Sequence, residues 1–133
     1  MSDLILLDSH AWFWWINLEH ERLSETMLKA ITVSQRVGVS AVSCYELALA
    51  HKRGRLQLPM PANQWFNFAL KGSGIDLLAL SPVIAQRAVS LSAIHRDPFD
   101  RIIIATALEK GAKLISLDGL FSNYPELSHI LLA

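Results

Sequence analysis

The stretch L-I-L-L-D-S-H-A-W, residues 4–12, decides the fold. Its first four residues are apolar at every position, the pattern of a short strand covered on both faces. Asp8 or Ser9 then caps a helix over about 10–18. A strand that runs directly into a helix cap is half of a βα unit, and the rest of the chain repeats the arrangement. A helix over about 24–35 precedes V-G-V-S at 37–40, which reads as a strand, and a helix over about 42–53 stops at Gly54. Pro59 and Pro61 mark a loop before a helix over about 62–71, which G-S-G at 72–74 ends. I-D-L-L-A-L at 75–80 is the third strand, and Ser81-Pro82 opens a helix over about 82–93. Another helix covers about 98–110 and closes at Gly111. K-L-I-S-L at 113–117 is the fourth strand, Asp118-Gly119 leads into a turn or short helix, and a last strand lies near 129–132.

Apolar strands alternating with amphipathic helices specify an α/β protein with a parallel sheet and helices on both faces. In such a sheet ligands bind beyond the carboxyl ends of the strands, where the strand order reverses. At 133 residues and with no linker or repeat, the chain is expected to be one domain over 1–133. The composition is 52% hydrophobic and the mean hydropathy +0.31, which excludes a disordered chain. No apolar run approaches the ~20 residues that span a bilayer, and the acid-flanked N-terminus is unlike a secretory signal. The single Cys44 suits a reducing, cytoplasmic setting and is expected to be a small buried hydrophobe. Twelve basic and twelve acidic residues give a formal net charge of zero, so bulk electrostatics does not recruit a nucleic acid. An anionic substrate has to be held locally.

Four acids fall at the same edge of the expected sheet. Asp8 and Asp118 follow strands, while Glu46 and Asp100 sit in the first turns of helices. Each has an ordinary explanation. Asp8 can be an N-cap; Ser43-Cys-Tyr-Glu46 fits a capping box; Asp97-Pro98-Phe99-Asp100 reads as a cap, a first-turn proline and an acid favoured by the helix dipole; Asp118-Gly119 is a turn pair. Together, however, four carboxylates repel unless protonated or neutralised. A hard divalent ion such as Mg²⁺ or Mn²⁺, with oxygen ligands, resolves the conflict. Histidines 10, 20, 51, 95 and 129 form no i, i+4 pair for zinc, and there is no glycine-rich phosphate loop. An acid-lined metal site suits phosphodiester hydrolysis, in which the ion polarises the phosphate and activates a water.

L-I-L-L-D-S-H-A-W-F-W-W, Glu46, D-P-F-D-R-I-I-I-A-T-A and L-I-S-L-D-G-L-F, in this order, resemble the signature blocks of PIN-domain proteins. The likeness is strongest to the VapC-type ribonuclease toxins of toxin–antitoxin pairs. It runs from Leu4 to about Leu131. It implies a three-layer α/β/α sandwich with a five-stranded parallel sheet in the order 3-2-1-4-5. It also implies a Mg²⁺- or Mn²⁺-dependent endoribonuclease, leaving 3′-hydroxyl ends, usually dimeric and silenced by a cognate antitoxin. By this likeness Asp8, Glu46, Asp100 and Asp118 are the catalytic and metal-ligating residues, with Ser9 and Ser116 in supporting positions. The alternative is a receiver-like or catalytically silent interaction module with a Mg²⁺-binding acid cluster, but its signalling lysine has only Lys113 as a candidate, at the wrong end of strand four.

Other features carry less. Trp12-Phe13-Trp14-Trp15 point about 100° apart and are mostly core, with one or two left for a dimer or antitoxin patch, as for Trp65, Phe66 and Phe68. His51-Lys52-Arg53-Gly54-Arg55 is expected to complement a helix C-terminus, with RNA phosphate contact as the other reading. Arg96 and Arg101 either hold an RNA phosphate or pair with Asp97. His10 and His95 lie near the acids and are given no role.

Overall fold

Alternate residues of the first strand serve opposite cores. In the computed structural model, which describes residues 3–133, β1 (Leu4–Leu7) is buried along its whole length. Ile5 and Leu7 pack with Trp12, Met27, Val39 and Trp65, whereas Leu4 and Leu6 pack with Ile103, Ile104, Phe121 and Tyr124. A strand with period-two side chains and apolar partners on both sides has to lie in the middle layer of a sandwich.

The remaining strands are β2 (Arg36–Ser40), β3 (Asp76–Leu78), β4 (Lys113–Ile115) and β5 (Leu131–Leu132). All pairings are parallel and the order is β3-β2-β1-β4-β5, as the resemblance implied. Helices α1 (Ser9–Ile16), α2 (Glu25–Val33) and α4 (Ala62–Asn67) supply one core layer through Trp12, Met27, Ile31 and Trp65. The other layer comes from α5 (Pro82–Ser90) and α6 (Pro98–Lys110). Helix α3 (Ala41–Lys52) touches both, with Leu47 on one side and Val42 on the other. No helix of the described residues is long and apolar enough to cross a membrane.

The sequence-based boundaries err mostly by excess. Helix α1 stops at Ile16 because the chain turns through Leu18 at a positive φ of 59°. Helix α4 ends at Asn67 and the chain continues as one π turn, Phe68–Gly72. The expected third and fourth strands shrink to three residues each, since Leu80 and Leu117 are exposed beyond the ladder. Helix α3 begins one residue earlier than expected and is capped by Ser40, whose hydroxyl accepts from Val42 N. Ser43 therefore lies inside the helix, and the Ser43–Glu46 capping box does not form. Cys44 is only half-buried, and burial pushes its thiol pKa up, so it carries no activated thiolate.

Of the aromatic run, Trp12 is fully buried and donates Nε1–H to Ala69 O at 3.2 Å. Phe13, Trp14 and Trp15 are partly buried against the same core. Trp65 is equally buried and donates to Asn17 Oδ1, while Phe68 is exposed. Burial of each large side chain contributes roughly 1.5–3 kcal/mol.

Candidate active site

The strand order reverses between β1 and β4, where Asp8 N donates to Ile115 O at 3.1 Å. Asp8 and Asp118 therefore leave adjacent strand ends at the switch point. Helix α3 leaves β2 next door and carries Glu46, while α6 brings Asp100 down from the opposite layer. All four acids, together with Asp97, line one cleft of about 430 Å³, with Ser9, His10 and Trp14 on its walls.

Each acid is tied down differently. Asp8 is buried and caps α1, its Oδ1 accepting from Ala11 N at 2.8 Å. Burial pushes its pKa up and Glu46 adds to this, against the Ser116 hydroxyl, the Ala11 amide and His10. Ser9 Oγ donates to Glu46 Oε1 at 2.6 Å and lies 2.8 Å from Ser43 Oγ. The glutamate thus braces against α1 instead of capping its own helix. Asp118 is exposed, its Oδ1 accepting from Leu120 N while its own N–H donates to Ser116 Oγ. Both serines that the resemblance singled out hold acids of the cleft.

Asp100 is the most perturbed. Burial, then the charges of Asp97, Glu46, Asp118 and Asp8, push its carboxyl up to about 8. Asp97, three residues earlier, is the cap: its Oδ1 accepts from Phe99 N at 3.0 Å and Asp100 N at 3.4 Å. Both aspartates of the D-P-F-D motif line the cleft, and Asp97 in addition holds the helix start.

Neither arginine candidate serves the cleft or pairs with Asp97. Arg101 follows Asp100 on α6 and so points about 100° away from it. Its guanidinium donates to the carbonyls of Ala88, Leu91, Ser92 and His95 and to Tyr124 Oη, fastening the α5–α6 connection. Arg96 is exposed beside an apolar hollow between α5 and α6. A lysine cannot reproduce the planar fork of Arg101. Arg101→Lys is expected to lower stability by about 2–4 kcal/mol in urea unfolding, since several carbonyls are deprived of a charged donor together.

His95 is a residue that sequence reasoning leaves without a role. Its Nδ1 lies 2.9 Å from Tyr124 Oη, and its Nε2 lies 3.4 Å from Asp100 Oδ2. That Nε2 is buried and, at its present angle, without a hydrogen-bond partner. Proximity to Asp100 is visible in H-R-D-P-F-D, but the ring direction comes from Tyr124, which is 29 residues away.

The donor set fits a divalent cation. His95, Asp100 and Asp118 each offer a ligand atom within 4.8 Å of the others. Burial and the charges of four neighbouring acids push the Asp100 carboxyl up to about 8, and a bound cation would relieve that repulsion. Oxygen donors dominate, which suits Mg²⁺ or Mn²⁺ better than zinc.

The PIN domain family model matches residues 5–127. The chain belongs to the PIN-domain family. This PIN domain is 36% identical over 115 residues to "Ribonuclease VapC22" of Mycobacterium tuberculosis (strain ATCC 25618 / H37Rv), covering 86% of each chain. Among solved structures it is similar to VapBC2 from Rickettsia felis bound to a promoter DNA fragment, with a TM-score of 0.70 at 16% identity over 97% of each chain. A toxin–antitoxin complex from Klebsiella pneumoniae matches with a TM-score of 0.63 at 21% identity, over 97% of this chain and 96% of that one. At such identities the structural matches speak for the fold of this PIN domain.

Proposed function

We propose that this PIN domain is a Mg²⁺- or Mn²⁺-dependent endoribonuclease and the toxin of a toxin–antitoxin pair. One observation carries the reading: four acids from separate parts of the chain meet in one cleft, where burial and the other acids push the Asp100 carboxyl up to about 8. Asp8, Glu46, Asp100 and Asp118 would hold the ion, Asp100 and Asp118 from the group they form with His95 and Asp8 and Glu46 from elsewhere on the cleft lining. When bound, the ion supplies Lewis-acid polarisation of the phosphodiester and activation of the attacking water.

The chain's own residues prepare that chemistry. Ala11 N fixes the orientation of Asp8, and Ser9 fixes Glu46, so neither carboxylate has to be ordered when substrate arrives. Asp97 and Pro98 set the start of α6 and with it the direction of Asp100. Trp14 and Leu117 add apolar surface to the cleft lining beside the acids. The ribonuclease name of the 36% identical relative supports RNA as substrate. An antitoxin protein is the proposed partner, as in the Klebsiella pneumoniae complex named above, and a homodimer in a reducing cytoplasm is the proposed working form.

A receiver-like signalling role finds no support. No lysine lines the cleft among the described residues, and Lys113 donates to His129 O at the amino end of β4. The test is direct. Antitoxin-free protein is expected to cleave single-stranded RNA in Mg²⁺ or Mn²⁺, and EDTA is expected to abolish cleavage until the metal is restored. RNA left intact under every metal condition would sink the reading.

A further inference from the structure

A second hollow, of about 280 Å³, opens beside the acid cleft and shares His10, Glu46 and Asp97 with it. One wall is a single stripe of α3: Glu46, Leu49, Ala50 and Arg53 recur at the i, i+3, i+4, i+7 spacing of one helix face. The stripe starts at the acids and ends about 10 Å along the helix axis. Arg53 caps that end and Arg55 follows it into the same hollow. Phe99, on the first turn of α6, also lines the hollow, and exposed Tyr45, outside the lining itself, packs against that ring with centroids 5.5 Å apart.

The two guanidinium groups stand out by what they lack and by where they lie, since Arg96, also without a side-chain partner among the described residues, belongs to the separate hollow between α5 and α6. Arg22, Arg36 and Arg87 are paired with carboxylates, and Arg101 is spent on carbonyls. Among the described residues Arg53 and Arg55 have no side-chain hydrogen bond or ion pair. The C-terminus of α3 already has His51 and Lys52 in its last turn, so its dipole does not require them. The hollow's two acids, Glu46 and Asp97, pair with neither arginine: Glu46 Oε1 accepts from Ser9 Oγ and Asp97 Oδ1 from the α6 amides.

A polyanionic chain approaching the cleft meets five carboxylates, and a formal net charge of zero gives no general attraction. Unpaired cations directly beside the cleft provide what the acids repel. Guanidinium groups match phosphate oxygens in geometry as well as charge, and aromatic faces stack on unpaired bases. We propose that this hollow is the subsite for the nucleotide adjoining the cleaved phosphodiester. Arg53 and Arg55 hold its phosphate, and its base stacks on the Phe99–Tyr45 pair. The occupant is single-stranded, since a base inside a duplex has no free face. The proposal rests on the nuclease reading and extends it to substrate positioning.

The experiment compares wild type, R53Q/R55Q, Tyr45→Ala and a distant control, Lys29→Gln on α2, after thermal unfolding has shown all four to be folded. Fluorescence anisotropy in EDTA measures binding of a single-stranded RNA oligonucleotide across a salt series, and steady-state cleavage in Mg²⁺ separates KM from kcat. In R53Q/R55Q the Kd and KM are expected to rise at least tenfold, with kcat changing far less. The slope of log Kd against log salt is expected to fall by about 0.7 for each phosphate that the variant no longer neutralises. Tyr45→Ala is expected to weaken binding severalfold without altering that slope, and Lys29→Gln to behave as wild type. An unchanged Kd and salt slope in R53Q/R55Q overturns the subsite, whether or not that variant still binds a protein partner. A wild type that binds RNA but never cleaves it sinks the nuclease reading instead, and the binding arm still decides the subsite.

Discussion

Asp100→Asn is expected to reduce RNA cleavage in Mg²⁺ by about a thousandfold, while Asp97→Ser retains most of it. The ion's charge stabilisation is worth several kcal/mol in a phosphoryl transfer, and each ~1.4 kcal/mol is a factor of ten. Asparagine keeps the shape of the side chain and one oxygen but removes the charge of the carboxyl that four other acids press on. Asp97 works through the backbone: its Oδ1 accepts from Phe99 N and Asp100 N. Serine can take over that acceptance, being as good a cap as aspartate. Single-turnover cleavage of a labelled RNA at saturating Mg²⁺ checks both variants. Equal losses in the two would mean that Asp97 faces the ion as much as the helix. A loss in Asp97→Ser that disappears in Asp97→Asn would instead place the fault in the cap.

The sheet is legible in the sequence because its signals are local and redundant. An all-apolar β1 can only be a central strand, and glycine or proline marks helix ends at positions the structure keeps, as at Pro82, Pro98 and Gly111. Asp8, Asp100 and Asp118 are legible for a related reason: strand ends and first helical turns are definable in sequence, and a parallel sheet brings them to one edge. Side-chain direction is not legible in the same way. The local pattern points Glu46 back to Ser43, yet it accepts from Ser9 across 37 residues, a partner no local pattern reveals. Adjacency to Asp100 suggests that Arg101 neighbours the acids, but helical rotation turns it about 100° away, onto the carbonyls of the α5–α6 connection. His95 faces Asp100 because Tyr124 and the Arg101-fastened loop hold it there. Such contacts depend on tertiary packing, which the period of a helix or strand does not encode.

The same carboxyl predicts an inverted pH profile for folding. Metal-free protein is expected to lose stability as pH rises from about 4 to about 8, and Asp100→Asn to remove much of that loss. In the unfolded chain Asp100 titrates near its ordinary value of 3.8, whereas burial and the neighbouring acids raise it to about 8 in the folded protein. Between these values the folded state keeps a proton that the unfolded state has released. Stability therefore falls with rising pH, by at most about 1.4 kcal/mol per pH unit for one group. Below the unfolded pKa both states are protonated and nothing is lost; above about 8 both are ionised and the loss is complete. Asp8 is raised by burial and acts in the same direction. Glu126 acts oppositely: burial opposes it, but the Ser92 amide and hydroxyl and the Arg101 charge lower its pKa, so its contribution disappears only at acid pH. The side chain of Asp100 is only 16% exposed, so solvent screening trims this effect without erasing it. A divalent ion should oppose the slope, because it binds the deprotonated cluster: at a hundred times its Kd it adds about 2.7 kcal/mol, and the Kd itself tightens as pH rises. Urea unfolding between pH 5 and pH 9, with EDTA and with Mg²⁺, measures both effects. If Asp100→Asn shows the same slope as wild type, the lost stability belongs to another group, and Asp100 is not where the cleft stores its unbalanced charge.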